Sequence, residues 1–223
     1  RLWHVLVLAC ACSESHHQRI SVDPGPWADA IGAQVAPYAS ISIGTGGDFA
    51  IAVADDPGIP LEGYQLEPAG TASWTVHAHD VLGAQYGTAA ALENLGFRFR
   101  HPFDPYVPDV ITAGSADTRV HAPQVRVRGL HVHTEHPIES YFAFWEPSNG
   151  SADAHRIIDW IVDNRGNYIE WFGLNDIVAE QSRYAAWRPF TQELISYAHM
   201  RGVRVGFAFE LFGAGDLQQG FNL

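Results

Sequence analysis

The chain has 223 residues with 25 acidic and 13 basic side chains, so its formal net charge is −12, and 47% of its residues are hydrophobic. The apolar content excludes a disordered chain, and the excess of acidic residues excludes a nucleic-acid partner bound through a basic surface. The same charge argues against a protein held on anionic lipid by its own charges. The length allows one large domain or two small ones.

Residues 1–18 have the pattern of an export leader. An apolar run over residues 2–11 is followed at once by a polar segment, which is typical of a signal peptide, and it is too short to span the ~30 Å of a bilayer core. Val7-Leu8-Ala9-Cys10 is similar to a bacterial lipoprotein box, with Cys12 as the rival thiol. We therefore expect an exported protein that is periplasmic, extracellular or attached to a membrane through a lipid on Cys10. A plain secretory leader or a buried first strand is the alternative.

Residues 19–108 are predicted to form a small α+β domain. Apolar runs bounded by turn residues predict strands at 40–44, 49–54, 63–67 and 72–78, with a hairpin between the last two. The glycine-rich stretch at 44–47 lies between the first two runs and is interpreted as another hairpin connection.

One clear helix is predicted in this region. Residues 81–94 carry apolar side chains at helical spacing, with Asp80 as the N-cap and Gly96 just past the end. The alternating residues 97–102 after it predict a final short strand. Residues 109–124, rich in Pro, Gly, Asp and Thr, are interpreted as a linker or an excursion along a sheet edge.

From residue 125 the pattern changes to a strict alternation of strands and helices. This alternation predicts right-handed βαβ units on a parallel sheet. The predicted order is strand 125–133, helix 152–164, strand 168–174, helix 189–200 and strand 203–211.

Several short motifs, in the same order along the chain, resemble family 20 glycoside hydrolases, the β-N-acetylhexosaminidases, and their α-glucuronidase-like relatives. They are the EGYQL run at 62–66, the helix start at 80–87, the helix end at 95–99, the RGL run at 128–130, the segment from 165 to 176, and the RGVRV run at 201–205. The resemblance implies an α+β domain similar to the second domain of hexosaminidases over 19–108. It also implies the first three βα units of a truncated (β/α)8 TIM barrel over 125–223.

The resemblance also implies a function and site residues. The intact protein would hydrolyse glycosidic bonds of oligo- or polysaccharides without a cofactor. Arg128 would bind sugar hydroxyls, and Asp176 and Glu210 would lie on the substrate face at the ends of the second and third barrel strands. Trp145, in the first βα loop, is a candidate for stacking on a sugar ring. The family's catalytic Asp–Glu pair falls on a fourth strand, so we expect it beyond residue 223 and expect the chain alone to be an inactive fragment.

Two alternatives come from other features. His131 and His133 point to the same side of a strand and could share a metal, as in metal-dependent amidohydrolase-like barrels. Strand alternation places Arg128 on the opposite side from these two histidines unless Gly129 forms a bulge. They could equally fill polar layers of the sheet. A non-catalytic carbohydrate-binding surface lipoprotein is the second alternative.

Overall fold

The computed structural model describes residues 18–36, 41–44, 46–132, 143–172 and 181–208. The first part of the chain forms a five-stranded sheet in the order β2-β1-β3-β5-β4, in which β4 alone among these strands is antiparallel. Two helices accompany it. The elements are β1 (Gln18–Val22), α1 (Pro26–Val35), β2 (Ile41–Ile43), β3 (Phe49–Asp55), β4 (Tyr64–Pro68), β5 (Ser73–Ala78) and α2 (Val81–Asn94).

The glycine-rich stretch between β2 and β3 carries the chain across β1, and the predicted hairpin connection there is wrong. Both strands are parallel to β1 and lie on its two sides, where Ile20 pairs with Ile43 and with Phe49. At the crossing, a Cβ on Gly47 would lie 2.5 Å from the carbonyl oxygen of Arg19 and 2.6 Å from the amide nitrogen of Ser21. Only glycine allows the backbone to pass this close.

The predicted helix α2 is confirmed with its N-cap. The Asp80 carboxylate accepts a hydrogen bond from the Gly83 amide at 2.8 Å, and Gly96 follows the helix with a φ of 102°. The predicted strand after it is wrong. Only Arg98 pairs, with Tyr106 in an isolated bridge, because the alternating pattern buries Phe97 and Phe99 in the core without a neighbouring strand.

The segment 109–124 runs along the edge of the first sheet, as the edge-excursion interpretation expects. Tyr64 and His121 exchange backbone hydrogen bonds of 2.8 Å, and the Gln65 side chain donates to the Thr118 carbonyl at 2.7 Å. Ile111 is buried in the core. The edge of β4 is therefore covered by the chain itself.

The second part of the chain forms a three-stranded parallel sheet in the order β6-β7-β8. The predicted alternation of strands and helices is confirmed. Its elements are β6 (Gly129–Val132), α3 (Ala152–Asp163), β7 (Tyr168–Phe172), α4 (Gln181–Met200) and β8 (Arg204–Ala208). No helix among the described residues is long and apolar enough to cross a membrane.

Helix α4 begins before the predicted start at Pro189. The sequence pattern placed proline in the first turn, where its missing amide hydrogen costs nothing. In the structure Pro189 lies inside the helix, and both it and Ala185 are exposed. Water can therefore bind the Ala185 carbonyl, which a proline four residues later leaves without an intrahelical donor.

The two faces of the second sheet differ. Val132, Ile169 and Trp171 are buried in a core that also contains Ile158 of α3 and Leu194 of α4. The opposite face carries the alternate residues of the three strands, namely His131, Tyr168, Glu170 and Gly206. Among the described residues, helices thus cover one face only, and the polar residues lie on the other, which we call the helix-free face.

Candidate functional site

Three polar side chains meet on the helix-free face of the second sheet. His131 of β6 and Glu170 of β7 are neighbours in the ladder, and His131 Nδ1 lies 2.5 Å from Glu170 Oε1. The Tyr168 hydroxyl donates to Glu170 Oε2, also at 2.5 Å. We call these residues the His131–Glu170–Tyr168 cluster. Period-two alternation places Tyr168 and Glu170 on one side of β7, which is why they can meet.

The cluster holds Glu170 as a carboxylate. The hydrogen bond from Tyr168, followed by that from His131, lowers the pKa of Glu170 below its usual value. The same bond raises the pKa of Tyr168, because losing the phenolic proton beside a carboxylate is unfavourable. The side chains of His131 and Glu170 are 41% and 27% exposed, so a ligand can reach both.

The neighbouring residues shape the space around the cluster. A Cβ on Gly206 of β8 would overlap the Tyr168 hydroxyl, so glycine at this position lets Tyr168 reach Glu170. Phe172, at the carboxyl end of β7, presents an edge-to-face contact to the His131 ring with centroids 5.2 Å apart. The cluster therefore adjoins an aromatic ring at the end of the strand.

A groove of about 300 Å³ lies near the carboxyl end of the same sheet. Its lining includes Trp145, Glu146, Arg183 and Trp187, and the Glu146 and Arg183 side chains are 3.5 Å apart. The indole nitrogen of Trp145 donates to the carbonyl of Phe172 at 2.7 Å. Trp145 is thus at the predicted end of the sheet, but the residue is only 1% exposed. Trp187 is the half-buried indole of this groove.

Arg128 lies at the opposite, amino end of β6. Its guanidinium donates to Glu62 Oε2 at 2.6 Å, to the Tyr86 hydroxyl at 3.0 Å and to the Arg165 carbonyl at 2.7 Å. Asn167 also donates to the Glu62 carboxylate, at 2.9 and 3.0 Å. We call the pair the Arg128–Glu62 clasp. It joins the two sheets, and a role of Arg128 in sugar binding stays a prediction.

Backbone strain is concentrated at this clasp. Among the described residues, Glu62 and Arg165 are the non-glycine residues with positive φ, at 57° and 63°. Such a conformation costs on the order of 1 kcal/mol or more. The Glu62 side chain forms the clasp, and the Arg165 side chain binds Glu93 at 2.6 Å. Glycine would adopt the positive φ without strain, but at either position it would remove these side-chain contacts.

The other predicted site residues, Asp176, Glu210, His133 and the lipidation site Cys10, lie outside the described residues. Within the described part of the chain, no group of three or more His, Cys, Asp or Glu side chains could hold a metal ion. Sequence reasoning did not assign a role to Glu170 or Tyr168. Tyr168 and Glu170 are two residues apart on β7, and Glu170 pairs with His131 of β6. This pattern could have identified them.

No protein-family model and no curated protein matches the chain. Solved structures do share its fold. A family GH115 4-O-methyl-α-glucuronidase with specificity for decorated arabinogalactans matches 86% of the chain with a TM-score of 0.59 and 13% identity. A GH20 exo-β-N-acetylglucosaminidase from Vibrio harveyi matches 86% with a TM-score of 0.54 and 12% identity. A GH138 enzyme targeting pectin rhamnogalacturonan II matches 92% with a TM-score of 0.53 and 15% identity.

These similarities define the fold as glycoside hydrolase-like, a mixed α/β architecture with parallel sheets. At identities of 12–15%, the similarity is one of fold. The chain spans 28%, 32% and 33% of the length of these structures.

Proposed function

We propose that this chain is the opening part of a glycoside hydrolase that acts on oligo- or polysaccharides. In this proposal an α+β domain over 19–108 and a linker over 109–124 precede the first three βα units of a (β/α)8 barrel over 125–223. The observation that carries it is the His131–Glu170–Tyr168 cluster on the helix-free face of a parallel sheet, in a fold shared with glycoside hydrolases of three families. In a closed barrel that face turns to the interior, and ligands bind at the carboxyl ends of the strands.

The proposed sugar contacts follow from this orientation. We propose that Asp176 and Glu210, which come after β7 and β8 in the chain, contact the sugar at the carboxyl end of the sheet, where Trp145 and Trp187 border the groove. Arg128 is at the other end and supports the architecture. Export, with a lipid on Cys10, is part of the proposal.

Glycoside hydrolysis requires an acid and a second carboxylate on either side of the scissile bond. Two hydrogen-bond donors keep Glu170 ionised. An ionised carboxylate can accept a hydrogen bond, but it cannot supply the proton that a general acid donates. Following the resemblance to family 20 glycoside hydrolases, the proposal places the acid and its partner on a fourth strand that comes after β8. The chain itself should bind sugar without cleaving it.

The test is to measure binding of neutral oligosaccharides to the chain by calorimetry, and hydrolysis of aryl glycosides by the chain and by a longer protein that continues past residue 223. We expect binding by both and hydrolysis by the longer protein alone. Binding without turnover by the longer protein would favour the non-catalytic carbohydrate-binding alternative. Stoichiometric zinc with no sugar binding would favour the amidohydrolase-like alternative with His131 and His133.

A further inference from the structure

We propose that Glu170 is a specificity residue that accepts hydrogen bonds from the hydroxyls of a neutral sugar and excludes sugars that carry a carboxylate. The inference rests on the proposed function and deepens it, because it names the substrate class at the His131–Glu170–Tyr168 cluster. It applies to the sugar unit that contacts this face of the sheet.

The geometry leaves Glu170 able to accept further hydrogen bonds. Each carboxylate oxygen has two lone pairs, and in the structure Oε1 faces His131 while Oε2 accepts from Tyr168. The remaining lone pairs can accept sugar hydroxyls without breaking either contact. The two donors also fix the carboxylate in one orientation, which lowers the entropy lost when a sugar binds.

The aromatic surroundings fit a sugar as well. Phe172 packs against the edge of His131, so an apolar ring lies beside the polar cluster. A pyranose presents hydroxyls at its rim and C–H groups on its face. The carboxylate can accept hydrogen bonds from the hydroxyls, and the aromatic ring beside it can pack against the C–H face.

The charge of the site argues against an acidic sugar. Of the basic side chains described on this face, His131 contacts Glu170 itself, and Arg204 donates to the Arg126 carbonyl at 2.9 Å. A sugar carboxylate here would meet the Glu170 carboxylate in a chain of formal net charge −12. Like charges at contact distance are unfavourable, and the ligand would also lose its hydration.

The experiment uses paired ligands that differ only at C6: neutral methyl glycosides of gluco, galacto and manno configuration, and the corresponding methyl uronides. Binding to the chain is followed by NMR titration. For wild type we expect a neutral glycoside to bind at least tenfold more tightly than its uronide. Glu170→Gln should lower the affinity for the neutral sugar about tenfold, the usual consequence of losing a hydrogen bond to a charged group, and should narrow the discrimination against the uronide.

Glu193→Gln is the matched control. Glu193 also lies beside a histidine, with Oε1 2.8 Å from His155 Nε2, but it belongs to helix α4. Its replacement should leave both affinities unchanged. Glu170→Asp is the second variant, because it keeps the charge on a side chain that is one methylene shorter, so its oxygens lie farther from the sugar. The neutral sugar should then bind more weakly, and the uronide should still be excluded.

The outcomes separate the two proposals. If wild type binds neither member of any pair, the proposed function fails. If wild type binds sugar but prefers the uronide, or if Glu170→Gln and Glu170→Asp both bind as wild type does, the inference about Glu170 is overturned and the proposed function stands. Circular dichroism of each variant establishes that it is folded, and Glu170→Asp decides the question should Glu170→Gln not fold.

Discussion

Arg128 joins the two sheets through one guanidinium. It reaches Glu62 in the turn before β4 and the carbonyl of Arg165 after α3, and its charge lies 5.8 Å from the centre of the Tyr86 ring. The side chains of Arg128 and Glu62 are 19% and 25% exposed, so water screens their interaction only in part. A residue that the sequence motif associates with sugar is thus engaged between sheets.

Replacing Arg128 should therefore destabilise the fold. In Arg128→Met the Glu62 carboxylate keeps only the Asn167 amide as a side-chain donor among the described contacts. We expect the free energy of unfolding to fall by about 2 to 3 kcal/mol, the cost of leaving a partly buried charge without its cationic partner. Urea denaturation followed by tryptophan fluorescence measures it.

Arg119→Met is the control for this prediction. Arg119 binds Asp117 at 2.6 Å, the same distance as in the clasp, but its side chain is 82% exposed. An exposed pair contributes little, so the urea midpoint should stay close to that of wild type. Equal losses in the two variants would contradict the role assigned to the clasp.

The elements differ in how well the sequence predicted them. Helix α2 was found with its cap because local chemistry determines it: Asp80 accepts from Gly83, and the apolar spacing is continuous. Strand β1, helix α1 and the start of α4 were missed. Their boundaries depend on tertiary contacts, such as the pairing of β1 with both β2 and β3 and the exposure of Pro189.

Helix α2 also contains a glycine that helix propensity alone would not favour. A Cβ on Gly83 would overlap the carbonyl oxygen of Gly63, so the glycine lets α2 lie directly against the backbone before β4. Alanine favours a helix over glycine by about 1 kcal/mol, but the overlap should outweigh this gain. We expect Gly83→Ala to lower the free energy of unfolding by about 1 to 2 kcal/mol.

Gly32→Ala provides the opposite case in helix α1. No atom of the described residues lies within 4 Å of a Cβ at Gly32, so the helix preference of alanine should appear alone and raise the free energy of unfolding by about 0.5 to 1 kcal/mol. Urea unfolding followed by far-UV circular dichroism measures both variants. A stabilised Gly83→Ala would show that α2 is not packed as closely as described.

At the scale of the whole molecule, the two sheets share one hydrophobic core and several buried polar contacts. Arg201, after α4, is 1% exposed and places its Nε 2.9 Å from Asp159 Oδ1 of α3, while its Nη1 donates to the Pro26 carbonyl of α1. Gln85 of α2 donates to the Arg201 carbonyl at 2.8 Å. The sequence could not predict these contacts, because the residues are separated by up to 175 positions.

Removing this buried cation should cost more than removing the clasp. In Arg201→Met the Asp159 carboxylate would stay buried with the Tyr197 hydroxyl, 2.8 Å away, as its remaining side-chain donor among the described contacts. We expect the free energy of unfolding to fall by about 3 to 5 kcal/mol. Adding Asp159→Leu removes the stranded charge, so the double variant should recover most of the loss in urea unfolding. If the double variant were less stable than Arg201→Met, the unpaired charge of Asp159 would not be the cause of the loss.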